Sequence, residues 1–268
     1  AGLWQFLPDG AMSKFLQTGA AAANGVLVAM LAKNGFTGAK HILEGKQGFF
    51  AGYARQEANL DLFKDFGTKW RAGLISFKPY PCCRHTHSAI DAAAEIRRKA
   101  KGLALMSIKL FTVKTGLQVA GIRHPETPRQ AKFSTAYCVA GTLLRGTPSE
   151  ADFSNENVNE ADVKALEARI ETAIDEEINA RVPRNWPCRI EAVTEDGENL
   201  VAQVWDPTGD PENTLSWEGV ETKFRILTDG IISTEQQDKL IAACRERENL
   251  DAVAELIESV NANCTRKY

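Results

Sequence analysis

Residues 77–88 read FKPYPCCRHTHS and mark the point at which the pattern of the chain changes. Pro79 and Pro81 exclude regular helix across the middle of this stretch, because a proline lacks the backbone N–H and restricts the residue before it. The preceding residues 74–78 read as an extended segment, and Ser88 can cap a helix that follows. We therefore expect a rigid, bent connector between two differently built parts of the chain.

The part of the chain before the connector has a helical pattern. Residues 18–34 (TGAAAANGVLVAMLAKN) are rich in Ala and Leu, begin at a possible cap, Thr18, and stop at Gly35. This predicted helix is apolar nearly all round, which is typical of a helix surrounded by others in a bundle. Shorter helices are expected at residues 39–44 and 59–66.

Two helices and a strand are predicted after the connector. Residues 88–96 and about 129–145 have apolar residues at helical spacing, and Gly146 ends the second helix. Residues 104–114 (ALMSIKLFTVK) suit a strand, and we expect both of its faces to be largely covered. The predicted buried face of the first helix consists of residues at i, i+3, i+4 and i+7: Ala89, Ala92, Ala93 and Ile96.

Further strands and a return to helix follow along the chain. Residues 170–174 read as a strand, and residues 188–204 as a hairpin with an Asp-Gly turn. Helical patterns then resume, with a capping box beginning at Ser233 or Thr234 and a last amphipathic helix around residues 253–260.

This order of elements predicts a mostly α fold with an α+β region. Residues 1–73 would form part of a helical domain, and residues 214–268 would return to it. Residues 74–213 would form a smaller α+β lid domain inserted into the helical one.

Composition and motifs exclude several classes of protein. The 268 residues are 44% apolar and 25% charged, which is typical of a globular protein, and their formal charge of −3 leaves no basic stripe for nucleic acid. No apolar stretch reaches the roughly 20 residues that cross a bilayer, and no leader pattern is visible, so we expect a cytoplasmic protein without membrane contact.

The chain also lacks the usual signatures of cofactor and metal enzymes. Its six cysteines form no C-x-x-C pair, which argues against zinc ribbons and cysteine-ligated iron–sulfur clusters and predicts free thiols. Nucleotide-binding, acyl-transfer and zinc-protease motifs are missing. His85 and His87, with only Asp91 nearby, would leave a metal under-ligated, so we expect neither a metal nor another cofactor.

The connector is the first candidate site. The prolines can hold Lys78 and Tyr80 in fixed positions, Arg84 lies among the ionisable groups, and a helix N-terminus beside His87 favours a bound anion. The alternative is an ordinary domain-boundary turn in which His87 merely caps the helix.

Lys14 and Tyr137 are further candidates. Lys14 lies among small and apolar residues before the predicted buried helix, and a lysine partly withdrawn from water can transfer a proton or hold a carboxylate. The alternative is a surface lysine whose stem covers apolar groups. Tyr137 lies on the apolar face of its helix, where a core tyrosine is the usual explanation, but its hydroxyl could reach a cleft.

Several separated motifs occur in the order in which a known family has them. They cover almost the whole chain: Gly10-Ala11-Met12-Ser13-Lys14, Gly35-Phe36-Thr37-Gly38, Phe77-Lys78-Pro79-Tyr80-Pro81-Cys82-Cys83 with Thr86-His87, Ala131-Lys132-Phe133-Ser134 with Tyr137, and Lys223-Phe224. The chain therefore resembles the MmgE/PrpD family, which includes 2-methylcitrate dehydratase, cis-aconitate decarboxylase and iminodisuccinate epimerase.

This resemblance implies a metal-independent lyase or isomerase that acts on a small polycarboxylate, by proton transfer next to a carboxylate. It implies a helical domain with an α+β lid, a homodimer, and a site between the domains that Lys14, Lys78 and Tyr137 face as catalytic residues. Tyr80, Arg84 and His87 are expected to bind the substrate.

The resemblance leaves several alternatives open. The reaction could be the dehydration of 2-methylcitrate, the decarboxylation of cis-aconitate or the epimerisation of iminodisuccinate. Family members carry a helical segment before the point where this sequence starts, with histidines and an aspartate of the site. A missing segment or a separate chain is thus expected to complete the site. A non-catalytic helical binding module and an iron–sulfur hydro-lyase are the rival interpretations.

Overall fold

The computed structural model describes residues 2–6, 11–54 and 59–245, and the chain divides into two compact units, Ala1–Gly73 and Leu74–Tyr268. The protein is about half helical, with one small mixed sheet, which confirms the predicted mostly α class with an α+β region. The three-part division, with a lid ending at residue 213, stays a prediction.

The first unit is built around one long helix, α1 (Ser13–Lys33). It ends as predicted, before Gly35, where φ is +87°. The described residues leave nearly all of its side chains exposed, so the predicted burial inside a bundle is not provided by this part of the chain. By length and composition alone α1 could also cross a membrane, a test that the core helix of a soluble protein passes too.

The rest of the first unit consists of short helical pieces and turns. A π-helix spans Phe50–Ala54, and a 3-10 helix spans Leu60–Phe63, within the helix predicted at residues 59–66. The helix predicted at residues 39–44 is wrong, because these residues form turns. The carbonyls of Ile42 and Leu43 accept hydrogen bonds from the later residues Phe49 and Phe50, at 2.7 and 3.2 Å, instead of from a helical ladder.

The second unit contains a sheet of four strands in its described residues: β1 (Leu105–Thr112), β2 (Ile170–Ile174), β3 (Cys188–Thr194) and β4 (Asn199–Val204). Their order across the sheet is β2-β1-β3-β4. β1 runs parallel to β2 and antiparallel to β3, and β3 and β4 form the hairpin. All the predicted strands and the predicted hairpin are confirmed.

Helices pack around this sheet and follow it along the chain. A 3-10 turn, Arg84–Thr86, leads into the first of them. The predicted capping box is present, because Ser233 and Gln236 exchange side-chain to backbone hydrogen bonds of 2.8 and 3.3 Å. The helix predicted at residues 253–260 lies outside the described residues. In chain order the helices are α2 (His87–Ala100), α3 (Lys114–Ala120), α4 (Pro128–Ala131), α5 (Thr135–Arg145), α6 (Asn155–Val158), α7 (Ala161–Arg169), α8 (Glu176–Asn179), α9 (Trp217–Thr228) and α10 (Thr234–Arg245).

The core lies where α2 packs against β3, β4 and α5. The predicted face of α2 is confirmed as buried, and its alanines let the neighbouring elements approach closely. One prediction about β1 is wrong, since Ile108 and Leu110 are buried on one face of the strand but Ser107 and Lys109 are exposed on the other. In the part of the chain that the structure describes, helices cover only the first of these faces.

Three helix boundaries also differ from the predictions. The helix α1 begins at Ser13, one turn before the predicted cap Thr18. The helix expected over residues 129–145 is two helices, α4 and α5, because the Ser134 hydroxyl accepts the Tyr137 N–H at 3.1 Å and so starts a new helix. Ser88 does not cap α2. The helix already begins at His87, and the Ser88 hydroxyl donates to the Trp186 carbonyl.

Candidate functional site

The connector is held against a loop that follows β4. The Phe77 N–H donates to the Gly209 carbonyl at 2.8 Å. Gly209 has a φ of +96°, and a Cβ there would lie 2.1 Å from the Phe77 carbonyl oxygen, so only glycine allows this approach. The connector therefore has a fixed path beside the loop.

Arg84 is anchored through one terminal nitrogen of its guanidinium, Nη2. It forms an ion pair with the largely buried Asp210, whose Oδ1 also accepts the Ser76 hydroxyl at 2.5 Å. The other terminal nitrogen, Nη1, is buried and has no hydrogen-bond partner among the described residues. This N–H group has a fixed position, and a carboxylate oxygen could accept its hydrogen bond.

Tyr80 has its hydroxyl engaged inside the protein. It donates to Asp91 Oδ1, and Asp91 Oδ2 accepts the Thr208 N–H at 2.7 Å. Burial and the neighbouring Asp91 carboxylate raise the pKa of Tyr80, so the phenol stays protonated. The Tyr80 ring packs against the imidazole of His87, with a distance of 5.0 Å between the ring centroids. The expected contact of Tyr80 with the substrate stays a prediction.

His87 is the most unusual side chain of the connector region. It lies in the first turn of α2, is fully buried, and neither of its ring nitrogens has a hydrogen-bond partner within residues 59–245 or the other described segments. Buried polar groups are nearly always hydrogen-bonded, so an imidazole of this kind is typical of a functional position. The alternative prediction, in which His87 caps the helix, finds no support in its side-chain contacts.

Lysines gather at the exposed side of the connector. Lys78 is exposed, and its backbone carbonyl accepts the Lys223 ammonium at 2.5 Å. Lys223 lies on α9, about half the chain away in sequence. The motif Lys223-Phe224 belongs to the family resemblance, but the sequence assigns no role to Lys223. Only the tertiary structure places Lys223 beside Lys78.

Tyr137 lies in the buried part of α5. Its hydroxyl donates to the Asp152 carbonyl, and Arg145 Nη2 lies 3.5 Å from the hydroxyl oxygen. Burial raises the pKa of Tyr137. The side chain also lines a pocket of about 150 Å³ together with residues that do not belong to the connector: His124, Pro125, Glu126, Val158, Lys164 and Glu167.

This pocket contains a buried carboxylate with its charge compensated. Glu167 is 2% exposed, and its oxygens form ion pairs with Arg123 Nε at 3.0 Å and His124 Nδ1 at 2.8 Å. Both partners lie in the turn before α4, so the contacts join that turn to α7. The two ion pairs offset the cost of burying the Glu167 carboxylate. Its burial therefore has a structural explanation and does not by itself indicate a catalytic role.

Lys14 belongs to the first unit. It lies in the first turn of α1 on an exposed surface, with its ammonium 5.9 Å from the centre of the Phe6 ring. The convergence of Lys14 with Lys78 and Tyr137 on one substrate stays a prediction.

The sequence did not predict the carboxylates that hold Tyr80 and Arg84 in place. Asp91 and Asp210 hold Tyr80 and Arg84, yet a single carboxylate in a sequence carries no signal of its partner. No group of three or more His, Cys, Asp or Glu side chains with metal-binding geometry occurs in the described part of the chain.

The chain matches two family models. Residues 80–247 match the MmgE/PrpD C-terminal domain, and residues 1–60 match the MmgE/PrpD N-terminal domain. The chain belongs to the MmgE/PrpD family. The resemblance found in the motifs is thereby confirmed, and the connector with Arg84 and His87 lies at the start of the family's C-terminal domain.

Curated relatives of this MmgE/PrpD chain are cis-aconitate decarboxylases. The enzyme from Homo sapiens is 25% identical over 251 residues, covering 89% of this chain and 51% of its own length. The enzyme from Mus musculus is 26% identical over 256 residues, covering 89% and 50%. The enzyme from Aspergillus terreus strain NIH 2624 is 24% identical over 273 residues, covering 94% and 55%. The chain spans about half the length of the curated relatives it matches.

Proposed function

We propose that the full-length protein is a metal-independent lyase that acts on a small polycarboxylate by moving a proton at a carbon next to a carboxylate. Membership of the MmgE/PrpD family and the names of the relatives support this class of reaction. Among the family's reactions, those names favour the decarboxylation of cis-aconitate. Dehydration of 2-methylcitrate and epimerisation of iminodisuccinate need the same proton transfer and are the activities to compare with it.

The observation that carries the proposal is the imidazole of His87, which is fully buried and whose two ring nitrogens have no hydrogen-bond partner in the described part of the chain. A neutral imidazole can accept a proton from carbon or oxygen, and an imidazolium can return one, near neutral pH. The Tyr80 ring packs against the imidazole, and Asp91 fixes Tyr80 in turn. His87 is therefore proposed as the acid or base, a role beyond the substrate binding expected from the sequence.

Positive charge near His87 suits an anionic substrate. The Nη1 group of Arg84 is proposed to bind one carboxylate, and Lys78 with its neighbour Lys223 to attract the substrate and stabilise an enolate-like state. Lys14 and Tyr137 enter the proposal as the catalytic residues that the family resemblance implies.

The decisive experiment uses the full-length protein and its His87→Gln variant, assayed against cis-aconitate, 2-methylcitrate and iminodisuccinate. If His87 transfers the proton, kcat should fall by about 10²-fold or more, the usual contribution of general acid–base catalysis. The control is His41→Gln, since His41 is exposed and pairs with the nearby Glu44 at 2.6 Å. A His87→Gln enzyme with normal kcat would refute the assignment.

Lys78→Ala gives a second measurement on the same enzyme. Loss of a binding charge should raise KM, and loss of transition-state stabilisation should lower kcat. Normal values of both constants would remove Lys78 from the mechanism.

The two rival interpretations predict different results for the full-length protein. A non-catalytic binding module would bind citrate-like acids without converting any of the three substrates, and an iron–sulfur hydro-lyase would contain iron in an elemental assay. A cytoplasmic homodimer also belongs to the proposal, and analytical ultracentrifugation of the full-length protein tests the dimer.

A further inference from the structure

The loop that follows β4 contacts the connector both before and after its prolines. This segment, residues 206–213 (DPTGDPEN), is called the Asp210 loop below. The Gly209 carbonyl accepts the Phe77 N–H at 2.8 Å, and the Asp210 carboxylate forms an ion pair with Arg84. The loop therefore holds the connector at both of its ends.

Hydrogen bonds inside the Asp210 loop fix the position of Asp210. Its N–H donates to the Pro207 carbonyl at 3.1 Å, and its carbonyl accepts the Asn213 N–H at 2.9 Å. The Gly209 N–H donates to the Asn213 carbonyl at 2.8 Å, and the Asn213 side chain donates to the Asp206 carbonyl at 3.0 Å. The backbone that carries the Asp210 carboxylate is thus held on both sides.

The Asp210 carboxylate joins side chains from the two ends of the connector region. Its Oδ1 atom accepts the Ser76 hydroxyl at 2.5 Å and the Arg84 Nη2 group. Asp210 is 6% exposed, so little water competes for these hydrogen bonds. Because the guanidinium is planar and rigid, fixing Nη2 also restricts the position of Nη1.

The Nη1 group of Arg84 is the donor that this arrangement leaves for a ligand. It is buried, and in the part of the chain that the structure describes it has no hydrogen-bond partner. A buried N–H group without an acceptor is costly, and a carboxylate oxygen forms a strong, charge-assisted hydrogen bond with a guanidinium. Asp210 is itself an anion already bound to Nη2, so its geometry suits the orientation of Arg84 and not the binding of an anionic substrate.

We propose that Asp210 is a positioning residue, which holds the Arg84 guanidinium so that Nη1 meets one carboxylate of the substrate. This inference rests on the proposed function, in which Arg84 binds that carboxylate. The contact is made in the bound substrate and in the transition state alike. Asp210 therefore acts on the affinity for the substrate and not on the rate of the chemical step.

The test measures KM and kcat of the full-length protein and its Asp210→Ala variant, with cis-aconitate, 2-methylcitrate and iminodisuccinate as substrates. KM should rise by about tenfold or more, the loss expected for a hydrogen bond to a charged group. The value of kcat should stay within about twofold of the wild type. A merely structural Asp210 gives the opposite pattern, because a smaller folded fraction lowers the apparent kcat and leaves KM unchanged.

Two further variants separate the position of Asp210 from its charge. Asp210→Asn keeps an oxygen that can accept from Arg84 and Ser76, so its KM should lie closer to the wild-type value than that of Asp210→Ala. Asp206→Ala is the matched control. It removes a carboxylate from the same loop, but that carboxylate accepts from Asn185 Nδ2 at 2.6 Å and not from the connector. Its KM should stay within about twofold of the wild type.

A double variant shows whether Asp210 acts through Arg84. Arg84→Gln alone should raise KM, and Arg84→Gln combined with Asp210→Ala should raise it no further, because the group that Asp210 orients is already absent. The double variant leaves neither charge of the pair unpaired in the protein interior. This comparison therefore decides the question even if Asp210→Ala alone does not fold.

The outcomes distinguish this inference from the proposed function. A normal KM in Asp210→Ala, equal KM values in Asp210→Ala and Asp210→Asn, or a further rise in the double variant would overturn the role of Asp210 and leave the lyase assignment intact. A wild-type protein that converts none of the three substrates would overturn the proposed function, and this inference with it.

Discussion

The Tyr137 hydroxyl is engaged by the protein itself, and this predicts a cost in stability when it is removed. Tyr137→Phe deletes the hydrogen bond to the Asp152 carbonyl and leaves that carbonyl without its partner. We expect the free energy of unfolding to fall by about 1–3 kcal/mol, measured by urea denaturation. Tyr53→Phe is the control, because Tyr53 is 79% exposed. Equal stabilities of the wild type and Tyr137→Phe would contradict this account.

Turnover measured with the same variant addresses the second role predicted for Tyr137. A purely structural tyrosine would leave kcat of the folded enzyme unchanged, whereas a catalytic hydroxyl would lower it. The sequence could predict burial at this position from helical spacing, but the partner of the hydroxyl lies in a different element and has no sequence signal.

Asp152 predicts a pH dependence of stability. Burial raises its pKa, but hydrogen bonds from the Ser149 N–H and hydroxyl, at 2.7 and 2.9 Å, and from Arg145 Nε at 2.7 Å outweigh this and lower the pKa overall. A carboxyl whose pKa is lower in the folded state stabilises the fold above its unfolded value of about 3.9 and loses that contribution as the pH falls through the folded value.

Asp152→Asn should therefore be less stable than the wild type at pH 7, and the difference should shrink as the pH falls below about 4. Urea denaturation at several pH values measures both curves. A difference that stays constant from pH 7 to pH 3 would show that the charge of Asp152 is not responsible.

At the scale of elements, two glycines of the α5 region predict effects of opposite sign. Gly146 follows the helix with a φ of +97°, whereas Gly141 is helical, and among the described residues a Cβ there would meet only Arg145 Nη2, at an ordinary 3.5 Å. Gly146→Ala should destabilise by about 1–3 kcal/mol through backbone strain. Gly141→Ala should stabilise by about 0.5–1 kcal/mol, because alanine loses less backbone entropy in a helix.

Thermal unfolding of the two glycine variants beside the wild type checks this pair. Each variant is the control for the other, since the same methyl group is added near the same helix. Stabilisation by Gly146→Ala would mean that the end of α5 is not as described.

Element boundaries show where sequence reasoning is limited. Helical spacing correctly predicted the buried face of α2, because apolar periodicity and burial have the same cause. It did not predict the break before α5, since the Ser134 cap competes with helix continuation by a single hydrogen bond. It also did not predict the exposed face of β1, because coverage of a strand depends on elements that pack from elsewhere in the chain.

At the scale of the whole molecule, the proposed site for small polycarboxylates predicts ligand-dependent stability. A tricarboxylate such as citrate, at about 100 times its Kd, should stabilise the full-length protein by about 2.7 kcal/mol and raise Tm by a few degrees. Differential scanning calorimetry measures this shift. Acetate at the same ionic strength is the control, and an equal shift with acetate would mean that the effect is not due to a polycarboxylate site.

The apolar surface of α1 also concerns the molecule as a whole. Its side chains are apolar but exposed in the described part of the chain, and the chain spans only about half the length of its curated relatives. An apolar helix of this kind is stabilised by packing rather than by its own backbone. The sequence predicted that packing, but the described residues leave the side chains of α1 exposed, so the packing of this helix stays a prediction.

The sequence by itself determined several local features: the proline-fixed connector, the capping box at Ser233, the hairpin turn and the apolar spacing of α2. The motif order also determined the family, which the family models confirm. Only the tertiary structure decided that the buried His87 ring has no hydrogen-bond partner among the described residues, that Arg84 is anchored to Asp210, and that Lys223 lies beside Lys78. The physical reason is that spacing along a helix or strand is set by local backbone geometry, whereas contacts between distant residues depend on how the elements pack.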